Sequence, residues 1–378
     1  MTLPEFFRRL KYRLNGRVVH LRPSGAVRGY VLVSYTTLPF LNTDPSILDA
    51  HSNRWECKEI VRQFLERSYA VDVIDTSNTA FVPENTYDYL IDNGKNMEHL
   101  APLIGKDCIK VFHISECHWK FNNEQEMKRI EALKKRRGIV LAPARLAKEN
   151  RAIELCDTAT ILAGTDSTAK TYAFAHKPMH PIPISTTHEY PYPGRNLNLA
   201  RKNFIWFGGA GAIHKGLDLV LEAFAAMPEY MLVVCGKIEQ DFADAYKKEL
   251  YETKNIKTLG WTDPGSESFK VLANNSIGII LTSCAEGCAG SVIVGMHAAL
   301  VPIINREAGV ETGDYGILLQ ESSVEEITRA VREIAAEPEE IIARRTRGAW
   351  EFARMHHTRK TFAESYASFL DMLLTKRA

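Results

Sequence analysis

What the chain lacks narrows it first. It has almost no net charge, because 47 lysines and arginines face 46 aspartates and glutamates, leaving +1. Without an overall basic field there is no electrostatic case for a nucleic-acid partner. No apolar run approaches the roughly 18 residues needed to span a bilayer, and no signal-peptide core opens the chain. The seven cysteines, at 57, 108, 117, 156, 235, 284 and 288, are odd in number and scattered. They suggest reduced thiols in a cytoplasmic protein rather than a disulfide framework. Cys284 and Cys288 are spaced C-x3-C, but no second Cys or His pair nearby completes a zinc set, so no metal site is expected.

Two phosphate-binding motifs are also missing from the loop GGAGAIHKG at 208–216. A dinucleotide fingerprint starting at Gly209 needs a third glycine where His214 stands, and an acid after the next strand, where Gly236-Lys237 sits. A P-loop starting at Gly211 needs its lysine where Leu217 stands. What remains is a flexible loop that sets Lys215 at a helix start. A cation there opposes the helix dipole, so its placement calls for an anion nearby.

What is present is a repeating rhythm. At 378 residues the chain exceeds what one core usually organises, and two domains of roughly 150–200 residues are expected. Residues 4–17 mix Phe6, Phe7, Leu10 and Tyr12 with five arginines and lysines. Such a segment suits either peripheral contact with an anionic membrane surface or a frayed helix with a solvated face, the second being the simpler reading. From Tyr30 onward, apolar runs alternate with helical patterns. Strands are predicted at 30–34, 70–75, 87–92, 109–113 and 159–163, and again at 204–207, 230–235, 256–259, 277–281, 301–304 and 317–319. Helices are predicted at 124–137, 217–226, 241–250 and 291–300, and Ser323 with Glu326 reads as a capping box. Residues 186–202 break every periodicity and read as a linker. The organisation expected is 1–185, a linker at 186–202, 203–355, and a C-terminal helix over 356–378 that packs back on the first domain. Alternation in both halves predicts an α/β protein of two doubly wound parallel-sheet, Rossmann-like domains facing a cleft.

Ligands in such sheets bind beyond the carboxyl ends of the strands. The stretch LTSCAEGCAGSVIVGMHAALVP, 281–302, runs from a buried strand through a small-residue loop into a helix start, which presents unpaired amides to an anion. Glu286 beside those amides suits a neutral partner such as sugar hydroxyls. In the first half, HISECHWKFNN at 113–123 follows a strand and offers His113 and His118. His118, in the loop beside Trp119, is preferred, and Glu116 could orient it. His51, His356 and His357 are read as structural or surface residues.

FIWFGGAGAIHKGLDLVLEAF, a strand ending VVCG, LGWTD, and EGCAGSVIVGMHAALVPII follow one another over about 203–320. In that order and spacing they resemble the C-terminal domain of family-4-type glycosyltransferases (group 1) with the GT-B fold. The resemblance implies transfer of a sugar from a nucleoside-diphosphate sugar of UDP or GDP type, with retention and without metal, to a glycan, lipid-linked or other acceptor. It implies that Lys215 holds the diphosphate, that Glu286 contacts the sugar, and that a histidine of the 113–123 loop, either His113 or the preferred His118, faces the reaction centre. Gly208, Gly209 and Gly211 would shape the phosphate loop, and Gly287, Cys288, Ala289, Gly290 and Ser291 would offer amides. Gly260, Trp261 and Thr262 would lie near the base. Two departures stand out. The arginine that accompanies the lysine has no counterpart, since Ala210 and Gly211 occupy that part of the loop. The second glutamate of the Glu–seven residues–Glu motif falls on Val294 by direct count, or on Gly295 if the following proline is aligned. These departures keep two other readings open, a non-catalytic nucleotide- or glycan-binding GT-B protein and a sugar-nucleotide epimerase.

Overall fold

The computed structural model describes residues 17–375, so nearly all of the basic segment at 4–17 lies outside the described residues. The first sheet contains β1 (Val19–Leu21), β2 (Gly29–Tyr35), β3 (Tyr69–Asp75), β4 (Tyr89–Asp92), β5 (Ile109–Ile114), β6 (Thr158–Leu162) and β7 (Met179–Ile182). The second contains β8 (Asn203–Gly208), β9 (Met231–Gly236), β10 (Ile256–Gly260), β11 (Gly278–Leu281), β12 (Val301–Asn305) and β13 (Ile317–Leu319). Their orders are β1-β3-β2-β4-β5-β6-β7 and β10-β9-β8-β11-β12-β13. The second sheet is parallel throughout. The first is parallel except for β1, which runs against β3.

Helices cover both faces of each sheet, so central strands such as Val31-Leu32-Val33 and Ile279-Ile280-Leu281 are sealed from solvent on both sides. That is why they read as continuous apolar runs rather than as alternating patterns. Two strands escaped the sequence reading because edges need less apolar length. β1 is three residues long, and its His20 Nδ1 lies 2.8 Å from Asp72 of β3. β7 carries Pro181 at the edge of its sheet, where a missing backbone N–H costs little. The helix expected over 241–250 is two, Gln240–Ala245 and Lys247–Tyr251. It breaks at Tyr246, whose ring is buried on Phe242 and whose hydroxyl donates to Glu222 at 2.7 Å. The capping box is half formed. Ser323 caps Glu326 N, but the Glu326 carboxylate accepts from Gln320, Glu321 and Ser322 instead of from the cap residue.

The two halves are held together away from the cleft mouth. The Trp119–Arg137 helix of the first half ends in a basic turn that meets acids of the second. Arg136 pairs with Asp218 and Glu222 at 2.7 Å each, and Arg137 with Glu249 at 2.8 Å. The chain crosses back near His357, a buried ring within reach of the Ile184 carbonyl, while its own carbonyl meets His297 Nε2 at 2.9 Å. The Arg359–Thr375 helix then lies on the Ser52–Glu66 helix of the first half, where Gln63 donates to the Ala363 carbonyl and Arg67 pairs with Asp371. Among the described residues no helix is long and apolar enough to cross a membrane.

Candidate active site

Between the carboxyl ends of the two sheets lies a cavity of about 1150 Å³. Its floor is built by two loops of the second half. The loop after β8 runs from Gly208 over buried Trp206 and delivers Lys215, itself almost buried, just before the Leu217–Ala225 helix. The loop after β11 delivers Glu286, and Lys215 Nζ pairs directly with Glu286 Oε1. Ser283 Oγ donates to the same oxygen at 2.7 Å. Burial alone would raise the Glu286 carboxyl, but Lys215, Arg145 and His214 outweigh it and hold it down at about 2. Part of the anion that Lys215 requires is therefore Glu286 itself.

His214 fastens the two loops together. Its carbonyl accepts from Cys284 N at 2.7 Å and its Nε2 meets the Ala285 carbonyl at 2.8 Å, while Nδ1 lies 3.4 Å from Glu126 of the first half. The first half also clamps the Glu286–Gly287 peptide, through Cys117 Sγ to the Glu286 carbonyl and Thr168 Oγ1 to the Gly287 carbonyl at 2.6 Å. A Cβ on Gly287 would overlap the Ser115 carbonyl oxygen, so only glycine allows this approach.

The glycine loop departs from the expected phosphate cradle. Gly208 and Gly209 line the cavity, but Gly211 does not, and its N–H donates to Glu239 at 2.6 Å. The Ala212 amide is taken by the same carboxylate at 2.9 Å. Beyond Glu286, residues 287–291 all line the wall, ending in the first turn of the Gly290–His297 helix. Gly290 and Ser291, as first-turn residues, have no intrahelical acceptor for their amides. The Ala289 amide, by contrast, is spent on the Ala308 carbonyl at 2.9 Å. Trp261 lines the cavity, half exposed and tilted against Phe207, whereas Gly260 and Thr262 stand behind the lining.

The structure places the expected histidine away from the cavity lining. His118 is the N-cap residue of the Trp119–Arg137 helix, and its ring packs on Trp119, Tyr172 and Phe174, outside the cavity lining. The helix starts five residues earlier than expected, and that extra turn carries the ring onto an aromatic cluster. His113 is no substitute. It is buried, with Nδ1 2.8 Å from Thr160 Oγ1, and burial pushes it down to about 4.

The histidine on the cavity wall is His51. Its Nδ1 accepts from Asn53 N at 3.3 Å and caps the Ser52–Glu66 helix, and burial, then Arg54, lower its pKa. One turn on, Glu56 is fully buried at the wall. One of its carboxylate oxygens accepts from Ser185 N and Oγ at 3.0 and 2.8 Å, and the other has no hydrogen-bond partner. Burial pushes Glu56 up to about 7 against the pull of Ser185, Ser52 and Arg359. The signal for His51 was its position in the loop after the first long strand, beside a helix start. Glu56 gave none, because it reads as an ordinary helix glutamate.

Residues 194–348 match the family model described as glycosyl transferases group 1. The match is confined to the second half, which is similar to a group 1 glycosyltransferase domain. The whole chain has the GT-B fold. It superposes on sucrose-phosphate synthase from Thermosynechococcus elongatus with a TM-score of 0.65 at 13% identity, covering 92% of this chain and 99% of that one. HepE from Anabaena, solved in complex with UDP and glucose, gives 0.58 at 13% identity over 91% and 99%. WaaG, a glycosyltransferase involved in lipopolysaccharide biosynthesis, gives 0.56 at 14% identity over 90% and 99%. No curated protein matches the chain by sequence. In the second half Val294 lines the cavity, so an isopropyl group stands where the resemblance, by direct count, calls for a second carboxylate. Among the described residues no group of three or more His, Cys, Asp or Glu is placed to hold a metal ion.

Proposed function

We propose that the protein transfers a sugar from a nucleoside-diphosphate sugar of UDP or GDP type to a glycan or lipid-linked acceptor, with retained anomeric configuration and without a metal. The observation that carries this reading is the Lys215–Glu286 pair on the cavity floor, beside the first turn of the Gly290–His297 helix. A carboxylate held at about 2 stays ionised at every pH at which the protein works, and it accepts hydrogen bonds from sugar hydroxyls. Lys215 and the amides of Gly287, Cys288, Gly290 and Ser291 meet the diphosphate as it departs. Each such preorganised group is worth roughly 3 kcal/mol where water is excluded. The acceptor enters from the first-half side, past His51 and Glu56. In this reading 1–185 is the acceptor domain, 186–202 the linker, 203–355 the nucleotide-sugar domain and 356–378 the returning helix. The protein works in the cytoplasm.

Binding of UDP, GDP and their sugars by calorimetry, followed by mass-spectrometric detection of transfer, tests the reading. It expects one nucleotide series to bind and its sugar to be transferred or slowly hydrolysed. Val294 favours a second reading, in which the fold binds a nucleotide or glycan without turnover. Binding with no hydrolysis or transfer across a donor and acceptor screen would select it.

A further inference from the structure

The charge of the phosphate pocket is incomplete within the second half alone. A sugar-linked diphosphate brings more negative charge than one ammonium balances, and Lys215 is already paired with Glu286. The glycine loop adds little, because the Gly211 and Ala212 amides are occupied by Glu239.

A second cation reaches this wall from the other half. Arg145 lines the cavity from the segment between the Trp119–Arg137 helix and β6. That segment has no regular structure, yet side chains of the helix fix it closely. Glu126 accepts from the Ala144 and Arg145 amides at 2.7 and 2.9 Å, Asn122 donates to the Arg145 carbonyl at 2.8 Å, and Asn123 both donates to and accepts from the Ala147 backbone. The arginine stem crosses Gly211, where a Cβ would overlap Arg145 Cδ and where φ is +94°, so glycine both makes the turn and clears the path. The guanidinium itself is held loosely, with Nη1 3.5 Å from the Ala210 carbonyl and Nη2 3.8 Å from Glu116. Its backbone is pinned while its donors are left with long contacts, as befits a group awaiting an anion.

We propose that Arg145, lent by the first half, is the second cation of the diphosphate pocket, so that the phosphate site is complete only when the two halves are together. It stands beside Ala210, where the loop of the second half has no arginine of its own. The inference rests on the nucleoside-diphosphate reading above and adds to it a coupling between phosphate binding and approach of the two halves.

The test is calorimetric titration of UDP, GDP, uridine and guanosine into wild type, Lys215→Ala, Arg145→Ala, Arg145→Met and the double variant Arg145→Ala/Ala210→Arg. Thermal unfolding checks each fold, and Arg145→Met keeps the stem over Gly211 while removing the charge. Both single Arg145 variants are expected to weaken the preferred nucleoside diphosphate at least about tenfold and leave its nucleoside unchanged. The double variant is expected to recover binding, which a purely structural role for Arg145 would not allow. Wild-type affinity in Arg145→Met while Lys215→Ala loses binding would overturn this inference alone. Equal loss of nucleoside and diphosphate without rescue would overturn it in favour of a structural role. A wild type that binds neither diphosphate would overturn it together with the donor reading.

Discussion

The two halves of the molecule face the same cavity but build their walls differently. In the second half, two loops that follow neighbouring strands, β8 and β11, are stitched to each other by His214 and carry the Lys215–Glu286 pair between them. In the first half, the lining comes from the segments that follow β2, β3, β4 and β5, from a helix start with His51 and Glu56, and from a docked irregular segment with Arg145. The second half supplies a stitched pair of loops with one ion pair at their centre. The first is a set of separately anchored side chains that can differ without disturbing the sheet beneath them. The floor should therefore tolerate substitution badly in function, and the wall should show graded effects.

The largest effect expected on that comparison is at the floor. Lys215→Ala and Glu286→Ala should each reduce donor hydrolysis or transfer by about 10²–10³-fold, measured by nucleotide release. Next comes the seam. Gly287→Ala forces a methyl into the Ser115 carbonyl, and thermal unfolding should show a loss of roughly 1–3 kcal/mol together with reduced turnover. An unchanged melting temperature would mean that the halves do not meet there in solution.

On the wall, Glu56 sets a pH dependence. Its folded pKa of about 7 lies above the ordinary 4.5, so between those values the folded state holds a proton that the unfolded state has lost. Stability contributed by Glu56 is full below about pH 4.5 and declines as pH rises through 7. Glu56→Gln should flatten that decline in a pH series of melting temperatures, and a slope identical to wild type would show that Glu56 is not the titrating group. A smaller effect is expected from His51→Ala, which removes a cap worth about 1 kcal/mol. The smallest functional effect is expected from His118→Ala, because that ring touches only aromatic neighbours away from the cavity. Turnover should stay within about twofold of wild type, since removing a packing contact costs stability rather than chemistry. A collapse of kcat with the fold intact would restore His118 to the reaction centre.

The same contrast explains what could be read from the chain. The central strands were legible because burial on both faces demands unbroken apolar runs, and β1 and β7 were not, because edges need neither length nor uniform burial. Lys215 and Glu286 stood out because both sit in small-residue loops at strand ends, where a charge has few structural reasons to be. Arg145 was invisible because its place depends on Glu126, Asn122 and Asn123 about 20 residues earlier, a relation that no periodicity shows. The place of His118 was not legible because the helix begins at Trp119 and turns its cap residue toward Tyr172. Gly211 reads as part of a phosphate loop, yet its amide donates to Glu239, 28 residues along the chain, a partner that no local pattern shows.

The central claim is that the floor between the two sheets binds a nucleoside diphosphate through Lys215. Calorimetric titration of UDP and GDP into wild type and Lys215→Ala tests it most directly. The account predicts that one of the two diphosphates binds the wild type, and that the lysine variant loses most of that affinity while still unfolding in a single cooperative transition above the titration temperature. Equal binding by both proteins, or none by the wild type, would contradict it.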